Sequence, residues 1–185
     1  MLSLRTVTPD ILEVLKALMS APELSSLRLV GGTALALQYG HRVSVDLDLF
    51  GEVAIDKFEL LSLLQGLGEV RVINETKNIH QYFVNGIKVD IVNYPYSWID
   101  APVEEDCIRL ASPKDIAALK TNAIEGRGTK KDFIDMYLLL QHYSLEEILV
   151  FYQQKYPDYS IFRALRSLTY FDDADAQIMP QMFVE

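Results

Sequence analysis

Asp46 and Asp48 are alternate residues of the segment His41-Arg42-Val43-Ser44-Val45-Asp46-Leu47-Asp48-Leu49-Phe50. In an extended strand, residues i and i+2 leave the same face about 6.5–7 Å apart. Two carboxylates so spaced reach one divalent ion, or let one of them bridge a pair of ions. Mg2+ favours this donor set, with phosphates and water completing its octahedron, and Mn2+ is the alternative ion. A third carboxylate completes a two-metal site, which steadies attacking and leaving oxygens in an in-line displacement. Asp90 is the expected third. Asn85-Gly86 is a strong hairpin signal, and a two-residue loop sets Val84 opposite Ile87 and Gln81 opposite Asp90. Ile87, Val89 and Ile91 then turn to the core, while Lys88 and Asp90 share the other face.

An Asp-x-Asp pair also describes acids merely solvated on an edge strand, so the residues before it matter. Leu27–Val30 reads as a short apolar strand that runs into Gly31-Gly32, and Thr33–Tyr39 as a helix ended by Gly40. The N–H groups at a helix N-terminus bind anionic phosphate, and glycines allow close approach. Thr33 either adds a hydroxyl to a phosphate or caps the helix. A phosphate cradle about thirteen residues ahead of a carboxylate pair reads as a nucleotide site.

Several elements must position these groups. The alternation from Arg42 to Leu49 predicts one strand, with Val43, Val45, Leu47 and Leu49 on the core and Arg42, Ser44, Asp46 and Asp48 opposite. Helical spacing marks Pro9–Ser20, and Asp56-x-x-Glu59 is a capping box that opens a helix to about Gln65. A strand is expected around Glu69–Asn74, and Pro95–Asp106 as a loop. From Ser112 the chain turns helical, with later starts at Thr129 and Ser144 and a further helix marked by Ile161, Phe162, Leu165 and Leu168. The expected fold is α/β (α+β): a mixed sheet with flanking helices over residues 1–110, a helical subdomain over 111–171 that closes the cleft, and a tail over 172–185.

With 185 residues, 50% hydrophobic and 23% charged, the chain has the composition of a folded domain. No run suits a membrane span, and the first helix carries Asp10, Glu13 and Lys16, unlike a signal peptide. A lone Cys107 excludes an intrachain disulfide and fits a cytoplasmic setting; a buried small hydrophobe is its bland reading. The net charge of −9 argues against a broad nucleic-acid-coating surface. Lys120, Arg127, Lys130 and Lys131 form a local basic cluster, either a solvated helix face or a functional patch. The three histidines lack companions at metal-ligand spacing. The aromatics between Phe151 and Phe171 serve helix packing or, if exposed, docking.

The segment "LVGGTALALQYGHRVSVDLDLF" resembles the first motif of the polymerase-β-type nucleotidyltransferases. More narrowly, Arg42-x-Ser44-x-Asp46-Leu47-Asp48 and "DIAALKTNAIEGRGTKKDFIDMYLLL" resemble the AbiEii group of bacterial toxin–antitoxin and abortive-infection systems. The resemblance spans about residues 27–142. It implies an enzyme that moves a nucleoside monophosphate from an NTP to an acceptor hydroxyl on tRNA, a protein or a small molecule, with a cognate antitoxin as a further partner. It makes Gly31, Gly32, Thr33 and Ser44 the triphosphate-facing residues and Asp46, Asp48 and Asp90 the metal ligands. Lys120 is implied at the triphosphate, and Lys131, Asp132 and Asp135 match the last motif. Asp132 has a rival role, completing a cap begun by Thr129. The rival functions are a catalytically silent nucleotide-binding or interaction module on the same fold, and a two-metal nuclease.

Overall fold

The computed structural model describes residues 1–183, which divide into two compact units. The first comprises residues 1–95 and 102–110, and the second residues 96–101 and those from Ala111 onward.

In the first unit α1 (Pro9–Ser20) precedes β1 (Arg28–Val30), α2 (Gly31–Tyr39), β2 (Leu47–Gly51) and α3 (Lys57–Gln65). The strands β3 (Val70–Glu75), β4 (Ile79–Val84), β5 (Ile87–Asn93), β6 (Val103–Glu105) and β7 (Ile108–Leu110) follow. All seven strands form one sheet in the order β3-β4-β5-β2-β1-β7-β6. The central β2 runs parallel to β5 and antiparallel to β1. Leu47, Leu49, Val89 and Ile91 are buried, while Asp48 and Asp90 between them are partly open on the opposite face. The period of two thus sends one set of side chains into the core and leaves the other for polar contacts.

The hairpin follows its turn chemistry. Asn85 and Gly86 both have positive φ, 50° and 79°, as a type I′ turn requires. Val84 then faces Ile87 and Gln81 faces Asp90. Asp56 caps α3 and Glu59 bonds back to its N–H, which is the expected box.

Three sequence expectations are corrected. The strand begins at Leu47, not Arg42: Arg42 and Ser44 are buried and Val45 is exposed. The N–H of Ser44 donates to Thr6 O, and the Thr33 hydroxyl meets Ser44 Oγ and Asp46 O. These bonds hold the approach to β2 against other elements and override its alternation. The region expected as a loop contains β6, joined to β7 through Asp106 and Cys107, both at positive φ. Cys107 is accordingly exposed on a turn, not buried. Arg109 on β7 donates to Met19 O, Leu24 O and Leu27 O at 2.9–3.1 Å, so one guanidinium fastens the chain between α1 and β1.

The second unit contains α4 (Pro113–Gly126), α5 (Lys130–Leu140), α6 (Leu145–Lys155), α7 (Ile161–Leu168) and the short α8 (Asp172–Asp175). Ile116, Ala117, Met136, Leu139, Ile148, Tyr152 and Tyr156 are buried there, whereas Phe162 and Tyr170 are exposed. Lys130 bonds to Gln177 and Asp175 and so ties down the segment just after α8. The last two residues of the expected tail lie outside the described residues.

One ion pair in this unit is completely buried. Lys155 Nζ lies 2.7 Å from Asp115 Oδ1 and 3.0 Å from Ser97 O, with the Trp98 ring at 4.4 Å. The same carboxylate accepts from the N–H groups of Ile99 and Asp100 and from the Ser112 hydroxyl. Asp115 thereby binds residues 97–100 to the helices. Truncating one partner of such a pair leaves a desolvated charge, which costs about 3–5 kcal/mol. Lys155→Met is expected to lower unfolding free energy by that amount in urea titration. Its apolar stem alone does not compensate.

Candidate active site

Asp48 and Asp90 are direct register partners on adjacent parallel strands, about 4.8 Å apart at the backbone. Asp46 lies just before β2 and Asp48 is its second residue, so the three acids gather where the start of β2 meets the middle of β5. β1 completes the floor, because Val30, its last residue, pairs with Asp48. The next residue, Gly31, opens α2 with φ +68°, and a Cβ there would lie 2.6 Å from Asp48 Oδ2. Only glycine gives the carboxylate this approach to the start of α2. Val30 provides no side-chain cap, so the positive end of the helix is left to interact with anions. Gly32 follows in the first turn, partly open. Thr33 and Ser44 are both buried and bonded to each other at 2.9 Å, linking α2 to the segment that carries Asp46.

Asp90 is held by one oxygen. Its Oδ2 accepts from Gln81 Nε2 and Lys88 Nζ, both at 2.8 Å. Its Oδ1 is buried with no partner among the described residues. Lys88 is pulled two ways: burial lowers its pKa, but the hydrogen bond and charge of Asp90, together with the charges of Asp48 and Asp46, outweigh burial and raise it. One ammonium therefore feels all three carboxylates.

The donor set suits a divalent ion: hard carboxylate oxygens on one face, one of them without a partner. Asp46, Asp48 and Asp90 are the residues that would hold it. Among the described residues no three Asp, Glu, His or Cys side chains stand close enough together to clasp an ion as they are. Three like charges repel, and two of them are met separately, Asp48 beside Gly31 and Asp90 with Lys88 and Gln81.

The second unit brings Lys120, Asp132 and Asp135 together. Lys120 Nζ lies 2.9 Å from Asp132 Oδ1 and 2.7 Å from Asp135 Oδ2, all three side chains being buried. Asp132 also caps Thr129 and pairs with Arg127 at 3.1 Å. The capping role and the family motif thus coincide in one side chain. Lys131 is exposed on the same helix. Burial raises the Asp132 pKa, but Lys120, Arg127 and Thr129 overcome it and hold the carboxyl at about 2. Burial lowers that of Lys120, and its two acids carry it above the usual lysine value.

Lys88 and Gln81 join the site beyond the residues expected from the motifs, although the alternation and hairpin register already put both beside Asp90.

A glycine-opened helix behind a strand, followed by a central acidic strand paired to another, defines a nucleotidyltransferase fold. The chain belongs to the AbiEii family, described as nucleotidyl transferase AbiEii toxin, type IV TA system, which matches residues 13–177, and it is a nucleotidyltransferase. It is 33% identical over 172 residues to the uncharacterized protein aq_aa25 of Aquifex aeolicus, covering 90% of this chain and 84% of that one. Among solved structures, ANT(2'')-Ia in complex with adenylyl-2''-tobramycin has a TM-score of 0.60 at 20% identity, covering 83% of this chain and 100% of that one. JHP933 of Helicobacter pylori has 0.54 at 18%, covering 88% and 90%. The nucleotidyltransferase toxin MenT4 of Mycobacterium tuberculosis H37Rv has 0.55 at 14%, covering 76% and 60%. These likenesses are of fold.

Two outcomes are expected. Asp132 contributes stability that is fully present above its unfolded pKa near 3.8 and lost as pH falls through about 2. Asp132→Asn should cost roughly 2–4 kcal/mol at pH 7 and flatten the stability profile between pH 4 and 2 in denaturant titrations. Gly31→Ala should destabilise by about 1–3 kcal/mol through its positive φ, and should displace Asp48, visible as a shifted carboxyl resonance by NMR.

Proposed function

We propose that this chain transfers a nucleoside monophosphate from an NTP to an acceptor hydroxyl, releasing pyrophosphate, with Mg2+ or Mn2+ held by Asp46, Asp48 and Asp90. The observation that carries this reading is the register pairing of Asp48 with Asp90 beside the Gly31 turn. When bound, the ion neutralises triphosphate charge and makes the α-phosphorus more open to attack. Gly31 leaves room for the Asp48 carboxylate at the start of α2, and the N–H groups of the Gly31-Gly32 turn attract phosphates beside it. Thr33 and Ser44 fix that turn to the segment bearing Asp46. Asp90 Oδ1, lacking another partner, is the oxygen left to meet the ion. Catalysis is then mainly positioning and charge stabilisation.

In the helical unit, Lys120, Asp132 and Asp135 act by positioning, since their charges are engaged with one another. Lys131, exposed, is the family-matched cation left for a phosphate. The acceptor is tRNA, a protein or a small molecule; the adenylyl-tobramycin complex of a structural neighbour supports a small molecule. Family membership supports a toxin role with a cognate antitoxin as partner. Among the described residues no helix is long and apolar enough to cross a membrane.

Asp46→Asn and Asp48→Asn should each lower transfer at least about a hundredfold while the melting curve stays within about 0.5 kcal/mol of the parent, as for other changes outside the core. Incubating each protein with the four α-32P-labelled NTPs and cell extract reads the transfer and reveals the acceptor. Substantial labelling by both variants in Mg2+ would move the chemistry elsewhere.

A further inference from the structure

We propose that Lys88 couples metal loading to the arrival of the triphosphate, its ammonium occupying Asp90 while the acids hold no ion and leaving Asp90 for the phosphates when ion and nucleotide bind. The inference rests on the reading of this face as a metal–triphosphate site, and adds a residue and an order of events to it.

Three features carry it. The first is place: Lys88 precedes Asp90 by two residues on β5, so both side chains leave one face, and its Nζ is 2.8 Å from Asp90 Oδ2. The second is charge. Asp46, Asp48 and Asp90 supply three negative charges, and Lys88 supplies an ammonium paired with one of them. An ion entering the site meets a cation already on one of its ligands, and like-charge repulsion opposes their joint occupancy. An arriving triphosphate reverses this, because its oxygens accept the ammonium while its charge attracts the metal. The third is freedom of movement. The Lys88 side chain is 35% exposed against 15% for Asp90, and its flexible stem lets the ammonium move without disturbing the core. Gln81 stays bonded to Asp90 Oδ2, so the carboxylate keeps its orientation after Lys88 departs.

A merely structural ion pair would leave metal affinity alone, which gives the test. Mn2+ binding to the full chain is measured by calorimetry. Binding of the four α,β-methylene NTP analogues is then measured with and without Mn2+. In the parent, Mn2+ alone should bind weakly, and Mn2+ should tighten the preferred analogue at least about tenfold. Lys88→Met should bind Mn2+ alone at least about tenfold more tightly, the scale of one unit charge a few ångströms away. The mutual tightening of metal and analogue, equal in both directions by linkage, should shrink at least about fivefold. Lys88→Gln, which keeps a hydrogen-bond donor without the charge, should behave alike and serves if the Met variant does not fold; Lys88→Arg should keep the parent's weak Mn2+ binding. A folded Lys88→Met or Lys88→Gln protein with unchanged Mn2+ affinity, or with unchanged coupling, overturns the proposal for Lys88 alone. A parent chain in which Mn2+ and every analogue ignore each other, with Asp46→Asn altering neither, overturns the site reading and this proposal together.

Discussion

Mutual repulsion among Asp46, Asp48 and Asp90 is the constraint on which the arrangement of the first unit depends. Register places Asp48 directly beside Asp90, and neither can turn inward, because the same alternation buries Leu47, Leu49, Val89 and Ile91. The structure meets the resulting charge with separate devices. The open N-terminus of α2 and the bare Gly31 receive Asp48, while Lys88 and Gln81 hold Asp90. Val30 itself offers α2 no side-chain cap, and Asp90 Oδ1 is buried without a partner among the described residues. Both deficits are what a cation with phosphate oxygens would supply.

The helical unit handles charge differently. Two of its ionic clusters are enclosed and nearly saturated: Lys155 with Asp115, and Lys120 between Asp132 and Asp135. Buried pairs of this kind contribute little net stability relative to apolar packing but penalise any change of partner. Here they fix specific segments, residues 97–100 in one case and the α4–α5 connection in the other. Acids are thus partly open in the sheet unit and neutralised in the helical unit. That contrast locates the chemistry we propose.

Family membership and geometry meet at the same residues without repeating each other. The family assignment says which reaction class belongs to the chain. The geometry says why glycine stands at position 31, how Ser44 and Thr33 are joined beside the acids, and which cation meets Asp90. The motif residues Asp132 and Asp135 show the reverse relation, since a family match alone gave no sign that both would be engaged with Lys120.

Much was determined by the sequence alone, because period and turn chemistry are local. The Asn85-Gly86 turn fixed the register that puts Gln81 opposite Asp90, and the capping box at Asp56 set the start of α3. The Gly31-Gly32 and Asp-x-Asp order indicated the class of site. Only the tertiary structure decided that Arg42 and Ser44 are buried while Val45 is exposed, since bonds from Thr6 and Thr33, distant in sequence, override the alternation there. It also decided that Asp106 and Cys107 make a tight turn despite lacking glycine. The enclosure of Lys120 by two acids from the next helix was likewise settled in three dimensions. Local rules govern which way a side chain leaves its own element, but the partner that meets it is set by chain segments folded in from elsewhere.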